Sequence, residues 1–170
     1  KQIVLRVNLR DGRLHGDFED FDIRGILEEM QLAVVRHGLY QTGTYRDGQR
    51  EGRFETFLPS GVLRGRGTYE NGLQEGLYVS YHENGEPRNK TNYVAGNIHG
   101  PYENYYENGQ LKRRGTMKNG NIHGLYEWYD SYGKLGAKGN YNMGQRGGEW
   151  IQEGETATYD PCPPDLEDGN

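Results

Sequence analysis

The sequence predicts an all-β protein made of tandem β-hairpins stacked into one elongated, twisted antiparallel sheet. Three observations predict it: an internal repeat of 24 residues, turn-forming dipeptides bounding short stretches, and a composition rich in Gly and Tyr but poor in aliphatics. The chain has 170 residues, with 27 Gly and 14 Tyr, and only 32% of it is hydrophobic. So little apolar material does not fill a thick core, yet so many rings argue against a disordered chain. The glycines do not follow a collagen period.

The repeat is read column by column. Gly43, Gly67, Thr91, Gly115 and Gly139 stand 24 residues apart, and two positions on come Tyr45, Tyr69, Tyr93, Met117 and Tyr141. Gly48, Gly72, Gly96, Gly120 and Gly144 follow, then Gly52, Gly76, Gly100, Gly124 and Gly148. A first ring column holds Phe54, Tyr78, Tyr102, Tyr126 and Trp150, and a second holds Phe57, Tyr81, Tyr105 and Tyr129. Gly61, Gly85, Gly109 and Gly133 mark the half-way turn, followed by Leu63, Pro87, Leu111 and Leu135. A fixed period over this many positions is the mark of a repeat architecture in which each unit touches its neighbours.

Each unit reads as one hairpin plus the turn to the next. Asn84-Gly85 and Asn108-Gly109 are hairpin dipeptides of the type I′ kind, which needs positive φ at both central residues. Asp47-Gly48, Asn71-Gly72 and Asn119-Gly120 mark the other end of the unit. The stretches between are rich in Tyr, Thr and Phe and of strand length. The spacing predicts about ten strands in chain order from Gly43 to Trp150. The two ring columns are three residues apart, and a bulge between them is expected to turn both rings to one face as a thin core.

Three regions result. Residues 1–42 are an irregular first repeat, because Gly16, Phe18, Phe21 and Gly25 precede Gly52, Phe54, Phe57 and Gly61 by 36 residues rather than 24. The twelve extra residues fall between about Glu28 and Thr42, as a loop, a short helix confined to Leu27–Val35, or a merged half-repeat suggested by His37-Gly38-Leu39-Tyr40. Residues 43–154 hold five regular units, the last incomplete. Residues 155–170, with Pro161, Pro163, Pro164 and the acidic Asp165, Glu167 and Asp168, read as a flexible tail.

The formal net charge of −5 gives no support to nucleic acid or an anionic membrane as partner. Arg64, Arg66, Lys112, Arg113 and Arg114 are the one basic grouping and read as solvated strand positions. The single cysteine, Cys162, cannot close an internal disulfide and leaves the redox compartment open. No apolar run reaches membrane-spanning length, and no signal-peptide pattern is present. The chain starts at Lys1 rather than Met, which reads as a leader removed or a chain trimmed upstream.

Chemistry is sparse, and no catalytic, cofactor or metal site is expected. His15, His99 and His123 share one turn position, but Glu51, Glu75 and Gly147 fill it elsewhere and no third ligand is apparent. Glu70, Glu75, Glu103, Glu107 and Glu127 recur at positions expected to face solvent. No nucleophile elbow and no phosphate loop is found. What remains is an extended surface of Tyr, Trp, Arg and Asn, the residue types of interface hot spots. Tyr106, Trp128 and Tyr132 lie outside the periodic ring columns and are the leading partner-binding candidates.

The unit Gly67-Thr68-Tyr69-Glu70-Asn71-Gly72 with Gly76-Leu77-Tyr78-Val79-Ser80-Tyr81-His82-Glu83-Asn84-Gly85 resembles a MORN repeat of the bacterial variant in YwqK-type antitoxins. Gly115 to Leu135 resembles it again, with Met117 in place of the first Tyr, and the likeness covers about residues 8–150. That resemblance implies a non-enzymatic binding protein. It points to an immunity or antitoxin protein that occludes a cognate toxin or secreted effector, including effectors of type VI secretion. For effectors delivered to the periplasm it implies a leader, hence an expected periplasmic location, with the cytoplasm as alternative. The alternative function it implies is a membrane- or phosphoinositide-associated scaffold.

Overall fold

The computed structural model describes residues 9–20, 40–58 and 60–160. Its strands are β1 (Leu9–Arg10), β2 (Arg13–Leu14), β3 (Gly16–Asp20), β4 (Tyr40–Arg46), β5 (Gln49–Phe57), β6 (Leu63–Glu70) and β7 (Leu73–Tyr81). They continue with β8 (Pro87–Val94), β9 (Asn97–Tyr105), β10 (Leu111–Lys118), β11 (Asn121–Tyr129), β12 (Leu135–Asn142), β13 (Gln145–Gln152) and β14 (Glu155–Tyr159). From β3 to β14 every strand pairs antiparallel with its sequence neighbours, giving one open 12-stranded sheet in chain order. β1 and β2 form a separate pair. Ten strands, β4 to β13, span Gly43 to Trp150 as the spacing predicts, and no described residue is helical.

Two turn chemistries alternate along the sheet. Between units, Asp47-Gly48, Asn71-Gly72, Ala95-Gly96, Asn119-Gly120 and Met143-Gly144 all have positive φ at both residues, the type I′ geometry. Ala95, at φ 47°, holds this left-handed backbone without the side-chain amide that eases it at Asn71 and Asn119. The half-way turns differ from expectation. Gly85 and Gly109 have positive φ but Asn84 and Asn108 do not. Gly85 N–H donates to His82 O at 3.1 Å and His82 N–H to Glu86 O at 2.8 Å. This is a three-residue connection, a type I turn closed by a left-handed Gly, and it requires positive φ only at its last residue.

The two ring columns lie on opposite faces, which corrects the expectation of a single ring face. The bulges fall elsewhere. One opposes Gly67 to three residues, Gly76, Leu77 and Tyr78, before the first ring. Another inserts Arg64, Arg88, Lys112 or Gly136 into the strand after the half-way turn. Nothing interrupts Phe54 to Phe57 or its equivalents, so ordinary alternation sends the first ring one way and the second the other.

On the first face, rings pack edge-on along the array. Phe54 stands between Tyr45 (centroids 5.7 Å apart) and Tyr69 (5.0 Å), and Trp150 stands among Tyr126, Tyr141 and Tyr159. The glycine column makes room for them. A Cβ at Gly43 would lie 2.6 Å from Phe54 Cδ1, one at Gly67 2.9 Å from Tyr78 Cδ2, and one at Gly139 would overlap the Trp150 indole. Trp150 is 0% exposed, the most buried side chain described. Arginines cover rings toward both ends: Arg50 over Phe54 and Tyr69, Arg146 over Trp150 and Tyr159.

At the start of the array, β3 pairs with β4 from Gly16↔Tyr45 to Asp20↔Gln41, so the extra residues lie in the β3–β4 connection and later hairpins keep their direction. The helix considered for Leu27–Val35 lies outside the described residues. At the other end β14 pairs with β13 over Gly148↔Tyr159 to Gln152↔Glu155. Residues 155–159 are therefore a sheet strand and not part of a tail, because Tyr159 still finds the Trp150 ring to pack on. Residues 161–170, including Cys162, lie outside the described residues.

Candidate binding surfaces

The second face carries a row of charges that the pairing aligns across five strands. Lys90 opposes Glu103, Glu103 opposes Arg114, Arg114 opposes Glu127 and Glu127 opposes Lys138, so sign alternates at every step. Lys90 Nζ lies 3.5 Å from Glu103 and donates to the Tyr105 hydroxyl at 3.0 Å, while that hydroxyl donates to Glu103. Glu127 accepts from Arg114 Nε, from Lys138 Nζ at 3.0 Å and from the Tyr129 hydroxyl at 3.1 Å.

Glu127 is only 4% exposed, which corrects its expected solvent-facing position. Burial opposes its charge, but the hydrogen bonds from Arg114, Lys138 and Tyr129 outweigh burial and bring its pKa from 4.5 down to about 2. Within the second ring column, Tyr105 and Tyr129 thus serve as hydrogen-bond donors to this row rather than as part of the ring core.

Around this row the same face exposes aliphatic side chains. Leu73, Leu77, Val94, Leu125 and Ile151 are the exposed strand aliphatics, and alternation from Gln74, Tyr78, Tyr93, Tyr126 and Trp150 places all five opposite the packed rings. An open face that leaves such side chains in water while its charges pair among themselves is suited to macromolecular contact.

The expected contact residues are separated. Tyr132, 89% exposed, sits in the half-way turn between β11 and β12, its N–H held by Asp130 Oδ1 at 2.9 Å. Tyr106 is part-buried in the preceding turn, where its hydroxyl donates to Tyr129 O at 2.9 Å and Lys112 covers its ring. Asn84 and Asn108 likewise donate to Glu107 O and Ser131 O, so these two half-way turns are tied to the next unit. Trp128 lies on the ring face over Gly136, where a Cβ would overlap its six-membered ring. Tyr106 and Trp128 thus flank Tyr129, while Tyr132 projects from the turn tip.

The basic grouping does not form one patch. Arg114 is paired with Glu127, Arg66 lies over the Tyr81 ring and Lys112 over Tyr106, while Arg64 donates to Tyr81 O and Arg113 to Asn104 on the ring face.

On the ring face an open cavity of about 280 Å³ lies beside Tyr102. Its apolar lining is Ile98, Met117 and Ile122, and its polar side is Asn89, Asn104, Arg113 and Thr91. Arg113 Nε donates to Asn104 Oδ1, Asn104 Nδ2 to Asn89 Oδ1, and Asn89 Nδ2 to Ser80 Oγ at 3.0 Å, a polar chain crossing four strands. Sequence reasoning missed the site, although Thr91 and Met117 were visible as the departures from two otherwise regular columns.

An open sheet of stacked hairpins with contact-ready faces defines a tandem-repeat binding scaffold. Residues 50–71, 74–95 and 98–119 each match the MORN repeat variant. No curated protein matches the chain.

Proposed function

We propose that this protein is non-enzymatic and acts as an immunity or antitoxin-type protein, blocking one cognate toxin or secreted effector by occluding it. The observation that carries this reading is the open face bearing Leu73, Leu77, Val94, Leu125 and Ile151 around an internally paired charge row. A broad face of this kind gains affinity from area and a few desolvated side chains rather than from a deep pocket. The repeat's likeness to YwqK-type antitoxins supports the same reading. The dispersal of Arg64, Arg66, Lys112, Arg113 and Arg114 into separate contacts counts against the lipid scaffold, which needs a joined basic surface.

The test is isothermal titration against the product of the adjacent gene, with anionic liposomes as the second titrant. Submicromolar binding, weakened about a hundredfold by Leu77→Glu with Leu125→Glu, is the expected result. Binding to liposomes with none to the neighbouring product at micromolar concentration would sink the immunity reading.

A further inference from the structure

The cavity beside Tyr102 is where the repeat breaks its own pattern twice. In three other units the first-column ring leans over a glycine of the preceding strand: Phe54 on Gly43, Tyr78 on Gly67 and Trp150 on Gly139. Before Tyr102 that strand carries Thr91, whose Cβ denies the space. The Tyr102 ring lies instead toward Gly115 of the following strand, where a Cβ would come 3.1 Å from Cε1. The other units also supply a ring to pack edge-on: Tyr69 for Phe54, Tyr93 for Tyr78 at 6.3 Å, Tyr141 for Tyr126 at 5.5 Å. At the matching position stands Met117, and among the described residues no ring faces Tyr102.

The result is a ring-shaped omission with defined chemistry. Tyr102 is 7% exposed, and its hydroxyl is buried without a hydrogen-bond partner. Ile98, Ile122 and Met117 form the apolar wall, and Arg113 and Asn104 supply polar atoms at the rim. The cavity, about 280 Å³, is just under the roughly 300–1,000 Å³ of ligand pockets, so it suits one side chain rather than a larger molecule. The repeat itself shows which side chain fits, because a tyrosine occupies this place in the four neighbouring copies at Tyr45, Tyr69, Tyr93 and Tyr141.

We propose that this cavity is an anchor site for a tyrosine side chain of an incoming polypeptide, packing edge-on against Tyr102. The site is on the face opposite the exposed aliphatics and does not depend on what the partner is. Its chemistry favours an aromatic ring over an aliphatic side chain, because the Tyr102 ring quadrupole suits an edge-on partner.

The experiment uses the full chain with methyl-labelled Met and Ile, titrated with N-acetyltyrosinamide while the Met117, Ile98 and Ile122 methyl resonances are followed. Saturable ring-current shifts at these three residues are expected. N-acetylleucinamide should bind at least about tenfold more weakly, a loss of about 1.4 kcal/mol in the contact. Met117→Tyr, which restores the repeat's own ring, should abolish the shifts while keeping or raising the melting temperature. No saturable shift, equal binding of the leucine amide, or undiminished shifts in Met117→Tyr would each overturn the proposal. Binding of p-cresol without binding of N-acetyltyrosinamide would overturn the polypeptide source. The wild-type titration stands even if the variant folds poorly, and none of its outcomes decides whether the adjacent gene product binds.

Discussion

The Trp150 indole stands over Gly139 of the neighbouring strand so closely that any side chain at 139 would enter the space the ring fills. The same relation, looser, joins Tyr102 to Gly115, where a Cβ would meet Cε1 at 3.1 Å. Gly139→Ala should therefore destabilise the array by about 1–3 kcal/mol, the cost of overpacking a filled core. Gly115→Ala should cost distinctly less, since the Tyr102 ring has the cavity beside it. Urea melts of the two variants check the order. Equal losses would show that ring crowding does not set the role of this glycine column.

Glu127 predicts how stability depends on pH. Its carboxyl is held at about 2 in the folded sheet against 4.5 ordinarily. A depressed carboxyl contributes fully at pH above its unfolded value and loses the contribution as pH falls toward the folded value. The difference corresponds to an upper bound on the order of 3 kcal/mol. Denaturant melts of the wild type should weaken between about pH 5 and pH 2. In Glu127→Gln, with Arg114 and Lys138 left without their carboxylate, that part of the slope should vanish and stability at neutral pH should fall. An unchanged slope would mean that Glu127 does not govern the acid limb.

Ala95 is held at φ 47° where the matching turns place Asp47, Asn71 and Asn119. Ala95→Asn keeps the backbone N–H that Glu75 Oε2 accepts at 2.7 Å, and Asn tolerates left-handed backbone better than Ala. The substitution should stabilise the protein by about 0.5–1 kcal/mol, seen as a higher urea midpoint at constant slope. A lower midpoint would show that the turn's strain is not relieved this way.

Trp128 and Tyr132 should separate in a thermal melt. Tyr132 is almost wholly exposed, so Tyr132→Ala should leave the melting temperature unchanged. Trp128 is half-buried over Gly136, and Trp128→Ala should cost about 1–3 kcal/mol, below the roughly 3–5 kcal/mol of a fully buried ring. If Trp128→Ala melts like the wild type, its packing on Gly136 contributes nothing, and the residue is free to serve a partner alone.

Sequence by itself determined the repeat length, the strand order and the direction of every hairpin. These follow from turn residues and ring columns, which act within a few residues of chain. It also showed Thr91 and Met117 as exceptions, but as two unrelated ones. Tertiary structure decided which face each ring takes, because the face depends on where a bulge falls, and the bulge falls at Gly76 rather than between Tyr78 and Tyr81. It decided the burial of Glu127, which needs Arg114 and Lys138 brought to either side by two separate strand pairings. It also made the cavity, since Thr91 and Met117 lie 26 residues apart in sequence yet on the two strands that flank Tyr102. Spacing along the chain reports what a residue does to its own turn or strand, whereas space left empty is a property of three strands at once.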